Sequence, residues 1–213
     1  MWDNDPRSTL DARYEAVDPQ PRYMTPSTAL VIEYTSVAGN ILFTYLIGRE
    51  LRVGWLFGFV ASVLGIILYG GEAAWLMAAL NGFYAAMGVY GWWSWGRVVE
   101  EYRITTLSWA QHGAVVAIGI GCTLGLVVLM RTVGLSGGFV RMEAFIAAFA
   151  LVATWLMSKK VLENWIYWTV GDLVAVYYNH QLGLHGYTLL MIVYIVLAVV
   201  GFINWRKQFT LQV

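Results

Sequence analysis

Ser108-Trp-Ala-Gln-His-Gly-Ala-Val-Val-Ala-Ile-Gly-Ile-Gly-Cys-Thr-Leu-Gly-Leu-Val-Val-Leu-Met130 contains no Asp, Glu, Lys or Arg. A helix needs about 20 predominantly apolar residues to cross the hydrocarbon of a bilayer, and this run is long enough. Working outward, six further apolar spans flank it, at 27–48, 53–70, 73–95, 142–158, 161–181 and 184–205. Short charged or glycine-containing breaks separate them at 49–52, 70–72, 97–103, 131–141, 159–160 and 180–184. None of the spans alternates apolar with polar residues, as a strand of a transmembrane barrel must. The sequence predicts an all-α integral membrane protein with seven transmembrane helices.

Composition agrees. The 213 residues are 59% hydrophobic, 15% aromatic and 12% charged, with a mean hydropathy of +0.62. A soluble domain carries about twice that share of charge. The charge is also unevenly placed, since residues 1–26 hold eight of the 26 Asp, Glu, Lys and Arg. That opening stretch, with Pro6, Pro19, Pro21 and Pro26, lacks the positive-then-apolar layout of a cleaved signal peptide and reads as a polar tail. A net charge of zero gives no basic footprint for nucleic acid. The single cysteine, Cys122, excludes a disulfide framework and reads as a small packing residue.

Basic residues set the expected orientation. Arg49, Arg52, Arg97, Arg103, Lys159, Lys160, Arg206 and Lys207 share one face, against Arg7, Arg13, Arg22, Arg131 and Arg141 on the other. The positive-inside rule then puts the C-terminus in the cytoplasm and the N-terminus outside.

A shift of 110 residues lays spans one to three on spans five to seven without a gap. Thr44-Tyr-Leu-Ile-Gly-Arg49 meets Thr154-Trp-Leu-Met-Ser-Lys159, Trp55 meets Trp165, and Glu33 meets Glu143. Tyr84, Gly91 and Trp95 meet Tyr194, Gly201 and Trp205, so Y-x6-G-x3-W occurs twice. Residues 33–97 contain eleven identities in this register. Two three-helix units joined by one intervening span have the same orientation, which predicts a 3+1+3 parallel repeat with a small-molecule site between the halves. The chain divides accordingly into a tail (1–26), a first three-helix bundle (27–107), a linker helix and loop (108–141), a second bundle (142–207) and a C-terminal tail (208–213).

Candidate site residues are those that burial in a membrane penalises. Asp172 lies in the middle of span six, where a carboxylate costs roughly 2.5–3.5 kcal/mol on insertion scales. Trp168 and Trp165, at i−4 and i−7, and Asn179, at i+7, share its helix face. The alternative is a structural Asp bonded to a neighbouring helix, with the tryptophans at the interface. Span three offers Asn81 and Tyr84 near the midplane with Tyr90 beside them, and span seven offers Tyr194 and Asn204. An Asn at that depth either glues helices together or faces a cavity. Aromatic faces with a carboxylate favour a flat, cationic ring. The three histidines lack metal spacing. Glu163, beside Lys159 and Lys160, reads as a solvated or paired carboxylate, and neither it nor Glu100–Glu101 with Arg103 resembles a catalytic cluster. No enzyme activity, metal or cofactor is expected.

Two stretches are recognisable. Asn81-Gly-Phe-Tyr-Ala-Ala-Met-Gly-Val-Tyr-Gly-Trp-Trp-Ser-Trp95 resembles the third-helix Y-G-W-x-x-W segment of the PnuC vitamin transporter family. Glu163-Asn-Trp-Ile-Tyr-Trp-Thr-Val-Gly-Asp172 is similar to the family's sixth-helix E-x-W-x-x-W-x-x-x-(N/D) segment. The similarity covers about residues 27–207. It implies a SWEET-like 3+1+3 fold in a bacterial inner membrane and import of nicotinamide riboside by facilitated diffusion, trapped by a cytosolic kinase. It also implies relatives that carry thiamine or riboflavin, and a homo-oligomer as a reasonable assembly. By motif match Trp165, Trp168 and Asp172 line the substrate site, opposite the polar and aromatic residues of the third helix. The sequence departs from the family in having Asn81 where Gln is commoner, and a polar tail where some members have an extra helix. Alternating access without ion coupling is the expected mechanism, because Asp172 has no second carboxylate at its depth.

Overall fold

The computed structural model describes residues 25–71, 75–96, 103–134, 139–181 and 185–212. Most of the expected N-terminal tail and the Glu100–Glu101 pair lie outside the described residues. Those described form seven helices: α1 (Pro26–Gly48), α2 (Gly54–Gly71), α3 (Trp75–Ser94), α4 (Trp109–Thr132), α5 (Val140–Ser158), α6 (Asn164–Gln181) and α7 (His185–Gln212). Two starts have clear local causes. Thr25 caps α1, its hydroxyl accepting from the Thr28 N–H at 3.3 Å, with Pro26 in the first turn where no amide is needed. Ser108 and Gln111 form a reciprocal capping box on α4.

Five helices, α1, α2, α4, α5 and α7, are long and apolar enough to cross a bilayer. The sequence explains why α3 and α6 differ. They carry Asn81, Asn164, Asp172 and Asn179 amid Trp and Tyr, and they hold the two segments that resemble the transporter family.

Two expectations need correction. The sequence predicts a tail at 208–213, yet α7 continues to Gln212. No Gly or Pro follows Trp205, so nothing stops the helix where the apolar run stops. Its last turn is also held, with Phe209 against the core and the Gln212 Oε1 accepting from the Ile104 N–H at 3.2 Å. Cys122 is exposed rather than packed, because α4 has few neighbours.

The packing pairs run α1–α2–α3–α5–α6–α7 and back to α1, while α4 lies against α5 outside this ring. Helices α1 and α7 run in the same direction. Tyr187 donates to Glu33 near their starts at 3.2 Å, and the Trp205 indole donates to the Ile47 carbonyl near their ends at 2.9 Å. The Trp95 indole likewise donates to the Ser158 carbonyl at the end of α5, at 3.1 Å. In each half, therefore, the third-helix tryptophan ties down the last turn of the other half's first helix.

The 110-residue register continues through the core. Trp55 and Trp165 are both 1% exposed, and each meets its own half's final tryptophan edge-on, Trp95 at 5.6 Å and Trp205 at 5.4 Å. Gly91 and Gly201 make these contacts possible, since a Cβ at Gly201 would stand 2.7 Å from the Trp165 ring and one at Gly91 would overlap Trp55. The repeated Y-x6-G-x3-W is a packing motif at its Gly and Trp.

The ends of α1 and α5 repeat as well. Leu51 N–H bonds the Leu46 carbonyl at 2.9 Å and Val161 N–H bonds the Leu156 carbonyl at 3.0 Å. Both turns are Schellman-type, with the residue between in the left-handed region where glycine is usual. Here those residues are Glu50 at φ 56° and Lys160 at φ 53°. They are register mates and they pair with each other, Nζ to Oε2 at 2.9 Å. Lys160 also lies over the Trp95 ring at 4.7 Å.

Candidate functional site

The six ring helices enclose a cavity of about 260 Å³ to which α4 contributes nothing. Its wall follows the repeat. Eight register pairs line it: Asn40/Ala150, Thr44/Thr154, Trp55/Trp165, Gly58/Trp168, Ser62/Asp172, Asn81/Met191, Tyr84/Tyr194 and Gly88/Ala198. The Trp55–Trp95 and Trp165–Trp205 pairs, with the Glu50–Lys160 ion pair, lie at the end of the cavity towards the α1–α2 and α5–α6 turns.

Six of the nine residues singled out from sequence meet on this wall: Trp165, Trp168, Asp172, Asn81, Tyr84 and Tyr194. Three do not line it. Tyr90 stacks on Trp155, centroids 5.6 Å apart, and hydrogen-bonds Lys159. Asn179 returns its amide to the Ala175 carbonyl of its own helix at 2.8 Å. Asn204 sits one residue before the core tryptophan Trp205, below the cavity level marked by Ala198. A shared helix face fixes direction but not depth, which is why the sequence singles out Asn179 along with Asp172. Of the two readings of Glu163, solvated or paired, a lysine pair is not the one found. Both its carboxylate oxygens accept from the Leu107 N–H at 3.2 Å, and Lys160 turns to Glu50 instead.

Asp172 is buried and, among the described residues, has no hydrogen-bond or ion-pair partner in the protein. The phenols of Tyr84 and Tyr194 lie within electrostatic range of it. Trp168 stands one turn away, and among the described residues its indole N–H is buried without an acceptor, as are those of Trp55 and Trp165. A buried carboxylate left without a partner on a cavity wall is what a solute with its own charge and hydrogen-bonding groups would satisfy.

The sequence reading missed Asn40, Thr44, Ser62 and Thr154. The hydroxyls of Thr44, Ser62 and Thr154 bond carbonyls four residues back on their own helices, at 2.9, 2.7 and 2.7 Å. Nothing in composition distinguishes such residues from ordinary membrane-helix Ser and Thr. The 110-residue shift was the available signal, since it maps Asp172 onto Ser62.

A solute-sized cavity between two similar sets of helices, most of them apolar enough to span a bilayer, defines a multi-pass membrane transporter. The profile of the nicotinamide mononucleotide transporter family matches residues 30–207. The chain belongs to this family, that of the PnuC vitamin transporters. It is 24% identical over 202 residues to the nicotinamide riboside transporter PnuC of Escherichia coli, covering 82% of this chain and 84% of that protein. It is 23% identical over 181 residues to the riboflavin/roseoflavin transporter RibM of Streptomyces davaonensis, covering 82% and 85%. The crystal structure of the vitamin B3 transporter PnuC superposes with a TM-score of 0.70 at 18% identity, over 96% of this chain and 89% of that one. Relatives that carry different vitamins are thus equally similar to this chain.

Proposed function

We propose that this transporter carries nicotinamide riboside across a bacterial inner membrane by facilitated diffusion. The observation that carries this reading is the unpartnered Asp172 carboxylate one helical turn from Trp168 in the cavity wall. A pyridinium ring entering there brings the counter-charge that the protein withholds, and stacks on an aromatic face. Its carboxamide and ribose hydroxyls meet the polar side chains opposite. Thiamine shares the flat cationic ring. Riboflavin is the second reading, favoured by the similarity to RibM, but its neutral ring makes less use of Asp172.

The ring of packing pairs and the eight register pairs on the wall support a SWEET-like 3+1+3 parallel repeat, with α4 as the linker. Transport then proceeds by one three-helix unit rocking against the other around a fixed site. Excess basic residues on the α1–α2, α3–α4 and α5–α6 turns and the C-terminus support a cytoplasmic location for that side. Phosphorylation by a cytosolic kinase removes the product from the equilibrium, so uptake needs no ion gradient. The outward faces of the helices are available to lipid and to a homo-oligomer.

Titration calorimetry on detergent-purified protein discriminates the vitamins. Nicotinamide riboside is expected to bind at one site per chain, at least about tenfold more tightly than riboflavin or thiamine, a margin of about 1.4 kcal/mol. Tighter binding of riboflavin would replace the substrate reading with its alternative, and binding of none would contradict both.

A further inference from the structure

Four of the eight register pairs on the cavity wall are chemically unequal, and the inequality has a direction. The first half contributes Asn40, Ser62 and Asn81, all neutral hydrogen-bonding groups, while the second half contributes Trp168 and Asp172. The duplicated scaffold has therefore diverged into a polar side and an aromatic, anionic side.

Among the three polar groups, two are already engaged. Asn81 donates its amide to the Met77 carbonyl at 2.9 Å, and its oxygen lies against Gly65, where any Cβ would overlap it. Ser62 donates to Gly58. Asn40 differs. Its backbone carbonyl accepts the Thr44 hydroxyl at 2.9 Å, but among the described residues its side-chain amide has no partner. A primary amide on a membrane-spanning helix finds no partner in lipid, so one facing a cavity with both donor and acceptor open is placed for a ligand.

We propose that Asn40 reads the polar arm of the bound vitamin, while Trp168 and Asp172 on the opposite half hold its ring. The substrate then bridges the two halves in a single orientation. Asn40 is a specificity-determining residue, because a solute with the ring but no hydroxylated arm leaves its amide unpaired. This rests on the substrate reading above, and the test separates the two.

The experiment compares nicotinamide riboside with 1-methylnicotinamide, which keeps the cationic ring and carboxamide but carries a methyl group in place of the ribose. Asn40→Ala is expected to weaken nicotinamide riboside about tenfold, the loss of a hydrogen bond with its acceptor left unpaired. Binding of 1-methylnicotinamide stays within about twofold, within ordinary context effects. Trp168→Ala weakens both ligands. Asn40→Thr, smaller but still hydrogen-bonding, recovers part of the loss and guards against a variant that fails to fold. Equal weakening of both ligands by Asn40→Ala, or of neither, would overturn the assignment. If the wild type prefers riboflavin, the substrate reading fails, and Asn40 is tested by riboflavin against lumiflavin, which has a methyl group in place of the ribityl chain. The same difference is then required of Asn40→Ala.

Discussion

Asp172→Asn and Trp168→Ala are each expected to reduce nicotinamide riboside binding by about a hundredfold or more. A desolvated cation over an aromatic face is worth about 2 kcal/mol or more, and truncating one partner of a buried charge pair costs 2–5 kcal/mol. About 2.7 kcal/mol already corresponds to a hundredfold. Asp172→Asn removes the charge at nearly constant volume, so it leaves the cavity shape intact. Trp168, itself partly buried, packs against two core clusters, so Trp168→Phe accompanies Trp168→Ala and retains part of the affinity. The measurement is calorimetric titration of variants that elute as the wild type does in size-exclusion chromatography. The substitution also sorts the substrates. A neutral ring such as that of riboflavin loses little on Asp172→Asn, so a ligand that survives the change identifies itself as uncharged. Unchanged nicotinamide riboside binding in both variants would return the two residues to a structural role.

The second large effect concerns the Glu50–Lys160 pair. It joins equivalent residues of the two halves at one end of the cavity, each held in a backbone conformation that costs a non-glycine residue about 1–2 kcal/mol. Under the proposed rocking of one three-helix unit against the other, these turns separate when that end opens. With Cys122→Ala to remove the single native thiol, Glu50→Cys and Lys160→Cys can be bridged by a bifunctional methanethiosulfonate and released by a reductant. Flux into liposomes is expected to fall to background on cross-linking and to return on reduction. Flux that continues through fully cross-linked protein would show that this end does not open. The exchanged pair, Glu50→Lys with Lys160→Glu, is expected to transport at a rate within about threefold of wild type, because the attraction between the two turns is preserved.

Much of this architecture is legible before any coordinates, for identifiable reasons. The helices declare themselves because charge-free runs end at short breaks, and only α7 outlasts its run by more than two residues, since Arg206 to Gln212 contains nothing that stops a helix. The repeat is legible because packing fixes a few positions hard. Gly91 and Gly201 admit Trp55 and Trp165, and Trp95 and Trp205 tie the two halves together. Asp172, Trp168, Tyr84 and Tyr194 stand out in sequence because a carboxylate or an aromatic cluster in mid-span has a cost or an obvious use. Asn40 does not, since one amide in span one carries no motif and only its register partner Ala150 on the same wall draws attention to it. Glu163 shows the converse. Proximity in sequence sets it beside Lys159 and Lys160, but the left-handed turn at Lys160 sends that lysine to Glu50, and Glu163 anchors the segment before α4. Depth along a helix and direction after a turn are set by tertiary packing, and linear spacing does not encode them.

The central claim is that these helices alone move an unmodified vitamin across a bilayer. It is tested most directly by radiolabelled nicotinamide riboside flux into liposomes containing only the purified protein. The expected result is saturable equilibration to equal concentration on both sides, with no ion gradient applied and the solute recovered chemically unchanged. Equilibration should be lost with Asp172→Asn and Trp168→Ala. Absence of flux for any of the three vitamins, or accumulation driven by a proton gradient and abolished by Asp172→Asn, would contradict uniport through this cavity.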